Sequence, residues 1–256
     1  AVPGMWHTFS ITDRYVVLYD HPVVYRPDRL ADGWLFPFGW VEDHPTRVGL
    51  IDRAGGDAVQ WFEAPIRAIN HDIAAHDTPT GVVVHVTSQE RQFDVDPAGP
   101  LEAPPSLVRL TIDPAVGSVA VETVDDHAQE FPRADPRVGL GEARYVYCIG
   151  DGPGVSGGGV IEPGNAVLKH DLVRGTTEVA RAGAGRGTAE AVFVPDPERS
   201  ADEDGGWLLA YVYDAATDRS DLVIHDAQGL AEGPVATVEL PVRVPFGFHG
   251  NWFAAD

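Results

Sequence analysis

Cysteine is nearly absent. Cys148 is the single thiol in 256 residues, so no disulfide can close within the chain and its stability must come from packing. A reducing, cytoplasmic setting is the expectation that goes with this. Lysine is just as scarce: Lys169 is the only one, the arginines are dispersed, and the formal net charge is −21. A surface that acidic repels phosphate backbones, which argues against a nucleic-acid partner. It also shows no basic patch of the kind that binds membranes, and membrane contact stays unreadable. Long apolar runs are missing too: none reaches the ~18 residues a transmembrane helix needs. The opening Ala1-Val2-Pro3-Gly4-Met5 lacks the basic-then-apolar order of a signal peptide. It enters mid-stride, so a piece is expected to be missing upstream. Helical periodicity is weak throughout.

What is present is strand-like. Apolar residues make up 44% of the chain, and the 28 glycines and 21 prolines are scattered rather than clustered, as turns between short strands require. Runs such as Tyr15–Tyr19, Val82–Val86 and Leu208–Tyr213 read as strands. Four times an aliphatic run ends in Asp and a Gly-containing turn: Asp52 with Gly55, Asp113 with Gly117, Asp171 with Gly175, and Asp226 with Gly229. The aspartates are 61, 58 and 55 residues apart. Each copy predicts a strand, a turn whose Asp accepts backbone N–H bonds, and a return strand. A regular repeat of this length in a strand-rich chain predicts an all-β fold, a β-propeller with one four-stranded blade per repeat. Asp202–Gly206 and 150–159 are expected as loops between strands.

A second series runs in phase with the first. His7, His71, Glu130, Glu190 and His249 sit among apolar neighbours at spacings of 64, 59, 60 and 59 residues. One polar residue per repeat at a common phase points toward one axis. Buried imidazoles and carboxylates are costly without partners, and a cation is the simplest shared one. Imidazole suits Fe, Zn, Cu or Ni. His7, His71 and His249 are therefore candidate metal ligands, and Glu130 and Glu190 candidates to orient their rings. His21, His44, His76, His85, His127, His170 and His225 fall out of phase and read as surface or turn residues.

At these positions the sequence resembles the carotenoid cleavage oxygenase family, which includes lignostilbene dioxygenases. Met5-Trp6-His7-Thr8-Phe9-Ser10-Ile11-Thr12 is similar to one of its histidine segments, and Glu63-Ala64-Pro65 with His71 to another. Glu130-Phe131-Pro132-Arg133 with Asp135 and Arg137, Glu190-Ala191-Val192-Phe193-Val194-Pro195, and Pro245-Phe246-Gly247-Phe248-His249-Gly250-Asn251-Trp252 match three further blocks in order. The chain departs from the pattern at Asn70, where the family carries an aromatic residue. The resemblance implies a seven-bladed propeller, of which 1–256 supply about four blades as one domain incomplete at its N-terminus. It implies Fe(II) on four histidines, three of them His7, His71 and His249, with Glu130 and Glu190 behind them. It further implies O2-dependent cleavage of a C=C bond to two carbonyl products. The substrate is an apolar conjugated alkene (a carotenoid, apocarotenoid or stilbene) in a tunnel to which Phe9, Phe38 and Phe248 contribute. The alternative is a non-catalytic propeller scaffold of the same family.

Other patterns carry less. Gly152, Gly154 and Gly157 resemble a dinucleotide fingerprint, and Ser156 a nucleophile elbow. Both need a helix next, which Val160-Ile161-Glu162-Pro163-Gly164 does not start easily. Cys148 lies in an apolar run unsuited to a nucleophile.

Overall fold

A computed structural model describes residues 3–56, 58–100, 102–150 and 164–254. Among these the only α-helix is the four-residue turn Asp28–Ala31. Four antiparallel sheets follow one another along the chain. The first holds β1 (Phe9–Ile11) and β2 (Tyr15–Asp20). After an inserted hairpin of β3 (Val23–Tyr25) and β4 (Phe38–Trp40), it is completed by β5 (Thr46–Asp52) and β6 (Gln60–Ala64). The second holds β7 (Ala68–Asp77), β8 (Val82–Gln89), β9 (Ser106–Asp113) and β10 (Ser118–Asp125). The third holds β11 (Gln129–Arg133), β12 (Tyr145–Gly150), β13 (Ala166–Asp171) and β14 (Thr176–Arg181). The fourth has a split first strand, β15 (Arg186–Thr188) and β16 (Val192–Pro195), both pairing with β17 (Gly206–Asp214). β18 (Arg219–Asp226) and β19 (Pro234–Glu239) follow.

The repeat read from the sequence is one hairpin used four times. Asp52, Asp113, Asp171 and Asp226 each end the third strand of a sheet. Each carboxylate accepts from the turn that follows: Asp52 from Ala54 N–H (2.8 Å), Asp113 from Ala115 (3.0 Å), Asp171 from Val173 (3.1 Å) and Asp226 from Gln228 (2.9 Å). The backbone must then turn left-handed, and Gly117 (φ 77°) and Gly175 (φ 63°) do so where a side chain would be strained.

The chain forms two compact units, one built on the first two sheets and one on the last two. A sheet can bury only one face against a neighbour, and each unit's core is such an inter-sheet layer. In the first unit Val17, Tyr19, Val48, Leu50 and Phe62 meet Ile69, Val84, Val86, Val108, Leu110 and Ile112. In the second, Tyr147, Val167 and Ala180 meet Ala191, Phe193, Leu208, Ala210 and Leu230. The Val, Leu, Ile and Phe side chains among them each contribute roughly 1.5–3 kcal/mol by leaving water. The layers therefore outweigh any single polar pair at the surface.

Asp202–Gly206 lies in the hairpin connection between β16 and β17, as expected, and within it Asp204 is buried and accepts from the ammonium of Lys169 at 2.8 Å. One expectation needs correction. His21, His85, His170 and His225 are buried rather than superficial. His85 lies in β8, a strand covered on both faces, and its Nε2 accepts from Arg109 Nε at 3.2 Å. His170 bridges Thr177 (2.9 Å) and Gln129 (2.6 Å) inside the third sheet. The glycine pattern at 152–157 and the loop from residue 151 lie outside the described residues.

Candidate metal centre

His7 lies two residues before the start of β1. Two polar rungs hold this segment along β7: Thr8 donates to the Asp72 carboxylate, and Asp77 accepts from the Thr12 hydroxyl (2.9 Å) and from Arg14 N–H (2.9 Å). His71 lies in β7 itself, at a defect in the ladder. Ile69 pairs with Ser88 and Asp72 with Val86, so Asn70 and His71 together face the single residue Thr87. This is a β-bulge, which re-aims a side chain that regular alternation would send elsewhere. The Thr87 hydroxyl accepts the His71 N–H (3.2 Å) that the ladder no longer uses. Asn70, the departure from the family pattern, is buried in an amide ladder. It donates to Gln89 Oε1 (3.0 Å) and accepts from Gln92 Nε2 (3.1 Å).

The bulge brings His71 to His7. Their Nε2 atoms are 3.1 Å apart, with ring centroids at 4.8 Å and planes crossing at 71°. Two imidazole nitrogens at about 2.1 Å from one cation in cis positions stand about 3.0 Å apart, and about 3.4 Å apart in a tetrahedron. The observed separation is that of a hydrogen bond between the rings, and it also fits two imidazole nitrogens on a shared cation.

In the second unit the same device appears twice. Glu130 pairs in β11 with Ile149, but the next regular pair is Arg133 with Tyr147, so the strand carries an extra residue immediately after Glu130. Phe131 absorbs it in a left-handed conformation (φ 51°), one that costs a bulky residue of order 1–3 kcal/mol. Glu130 is buried, and its Oε2 accepts the Phe131 N–H at 2.8 Å. Glu190 occupies the break between β15 and β16. Its side chain is 4% exposed and meets three donors: His249 Nδ1 at 3.1 Å on Oε1, and Gly250 N–H (2.8 Å) and Arg133 Nη2 (2.8 Å) on Oε2. Opposite an ionised carboxylate, which only accepts, His249 donates from Nδ1, the tautomer in which Nε2 is the ligating nitrogen. The edge of Phe131 packs on the His249 ring (centroids 5.5 Å, planes at 79°).

Within the first unit, then, His7 and His71 come together. Within the second, His249 and Glu190 do, while Glu130 engages the amide of its own bulge. Phe9 and Phe248 are exposed, at 56% and 61%, whereas Phe38 packs on Phe93 under the β3–β4 hairpin. Cys148 is buried in β12. Arg133, Thr8 and Asp72 had no role assigned from the sequence; nothing local marks them except their adjacency to His7, His71 and the Glu130 block. Asp125, Asp126 and His127, with ligand atoms within 4.8 Å of one another, form a separate cluster at the end of β10.

Comparison with known proteins decides the family. Residues 1–254 match the family described as Retinal pigment epithelial membrane protein. A carotenoid cleavage oxygenase of Mycobacterium tuberculosis is 34% identical over 296 aligned positions, covering 97% of this chain and 58% of that protein. This chain belongs to the carotenoid cleavage oxygenase family. An apocarotenoid-15,15'-oxygenase of Synechocystis, another relative in this oxygenase family, is 31% identical, with 96% of this chain and 51% of that protein aligned. Solved structures of Synechocystis apocarotenoid oxygenase superpose with a TM-score of 0.85 at 27% identity, covering 98% of this chain and 53% of theirs. A cobalt-substituted form of that enzyme superposes at 0.84. The four sheets are accordingly β-propeller blades of the family. The chain spans about half the length of the curated relatives it matches.

Proposed function

We propose that this chain carries the metal-binding inner strands of a non-haem Fe(II)-dependent dioxygenase. It would split a C=C bond of a carotenoid, apocarotenoid or stilbene, with O2, into two carbonyl products. The observation that carries this reading is the convergence of His7 Nε2 and His71 Nε2 at 3.1 Å, delivered by a strand bulge. His249 enters as the third ligand through the family resemblance, and its own unit supplies the orientation: Glu190 holds its Nδ1 proton. Bound Fe(II) would supply O2 activation beside the alkene. The three imidazoles are neutral donors that leave the ion's charge intact. Glu130 and Glu190 are read as the groups that fix ring orientation from behind. Phe9, Phe38 and Phe248 are read as apolar contacts for the alkene, which binding must place next to the metal for reaction. The four blades are read as part of one propeller domain.

The test is iron content by mass spectrometry beside O2-dependent cleavage of a hydroxystilbene and an apocarotenal, in wild type and His249→Ala. Near-stoichiometric iron with turnover, both lost in the variant, is the expected result. The preferred substrate then separates the stilbene from the carotenoid branch. Wild-type protein that takes up no iron after anaerobic reconstitution and cleaves neither substrate would refute the reading.

A further inference from the structure

We propose that Arg133 is a positioning residue for His249, acting through Glu190 and the Gly250 peptide. The inference rests on reading His249 as a metal ligand. From Pro241 to Trp252 the chain forms no strand, so no ladder fixes the backbone that carries His249. Arg133 supplies what the ladder does not. Its Nη2 donates to Glu190 Oε2 at 2.8 Å and to Gly250 O at 2.6 Å. The N–H of Gly250 donates to the same Oε2 at 2.8 Å. Guanidinium, carboxylate and peptide thus close a ring that holds Gly250 by both its N–H and its C=O. With Oε2 committed, Oε1 is the oxygen left facing His249 Nδ1.

The His249 side chain is 48% exposed, whereas that of Glu190 is 4% exposed. The contacts on the buried side of this ring therefore bear on its orientation and its tautomer. The bulge at Phe131 delivers the clamp. The extra residue after Glu130 returns β11 to register at Arg133, opposite Tyr147. Phe131, inside the bulge, packs on the His249 ring, so one strand irregularity supplies both the stacking edge and the guanidinium.

A merely structural ion pair would lower stability when cut and leave the imidazole unchanged. The decisive readout is therefore the His249 tautomer in metal-free protein, measured by 15N shifts assigned against His249→Ala. Wild type is expected to hold the proton on Nδ1. Arg133→Ala is expected to give mixed tautomers and to weaken Co(II) binding about tenfold, the low end for groups that orient metal ligands. Added methylguanidinium should restore both. A folded Arg133→Ala with the wild-type tautomer and Co(II) affinity within twofold overturns the proposal. Should that variant not fold, Arg133→Met, which keeps the apolar stem and removes every donor, decides instead. Weakened Co(II) binding at an unchanged melting temperature supports the clamp, and unchanged binding overturns it. If wild type binds no Co(II), the metal reading fails, and the tautomer comparison still judges Arg133.

Discussion

Replacing Glu190 by Gln preserves shape and changes only what the two terminal atoms can do, which makes its consequence calculable. Three donors converge on this carboxylate, two of them on Oε2. A glutamine offers one acceptor oxygen. That oxygen goes to the side where Arg133 and Gly250 both donate, so the NH2 is turned toward His249 Nδ1. Nδ1 must then accept, which moves the ring proton to Nε2 and removes the lone pair needed for a metal. Glu190→Ala does less harm to the ring, since it frees the tautomer rather than inverting it. Metal affinity is expected to fall at least 10–100-fold in the Gln variant, and by less in the Ala variant. Stability should move little, because the amide oxygen keeps both of its donors. Charged and neutral hydrogen bonds differ by about 1 kcal/mol, or about 2–4 °C in melting temperature for a chain this long. Co(II) titration followed by visible absorption, with thermal melts alongside, measures both quantities. A Gln variant that binds metal as well as wild type, or better than the Ala variant, would refute the reasoning.

Two further outcomes concern the body of the protein. Asp204→Ala leaves the Lys169 ammonium buried without its 2.8 Å partner, at a cost of about 3 kcal/mol. That is the low end for such a cut, because Glu178 stands 3.8 Å away. Lys169→Met combined with Asp204→Leu should recover most of the loss, and urea unfolding of wild type and the two variants checks this. On acidification, burial holds the imidazoles of His21 and His85 neutral down to about pH 4, for His85 with help from the Arg109 charge. The unfolded chain takes these protons near pH 6.5, so their contribution is complete above that pH. It is lost as pH falls from 6.5 to 4, by up to about 3 kcal/mol per group. Urea midpoints unchanged between pH 6.5 and 4.5 would contradict this, and His85→Gln should flatten the slope.

The repeat was legible because it is made of local chemistry. Asp52, Asp113, Asp171 and Asp226 satisfy turns two residues on, and such turns are written into the sequence at the point of use. The in-phase polar series was legible for the same reason, since spacing survives translation into strands. The bulges at Asn70–His71 and after Glu130 were not, because register is set by the partner strand. A bulge leaves no residue type behind, apart from the unexpected Asn70. The buried histidines were misread because a lone imidazole in a run such as Val82–Val86 gives no sign of which strand covers it. Only the neighbours in space, Arg109 for His85 and Gln129 for His170, explain why burial is tolerated there.

The pairing of β7 with β8 shifts twice, once at Asn70–His71 and again between Asp72 and Ala74. Each extra residue reverses the sidedness of everything downstream, and two together cancel. The far end of the strand, where Asp77 ties down Thr12 and Arg14, therefore keeps the parity of an undistorted ladder. Removing one residue from this stretch turns the outer half of the strand inside out. Removing two is silent for the sheet and erases the histidine's aim. Lineages of this propeller can therefore lose the site by a paired deletion while keeping the blade, and such a pair of gaps would be the scar to look for in relatives that fold without binding a metal.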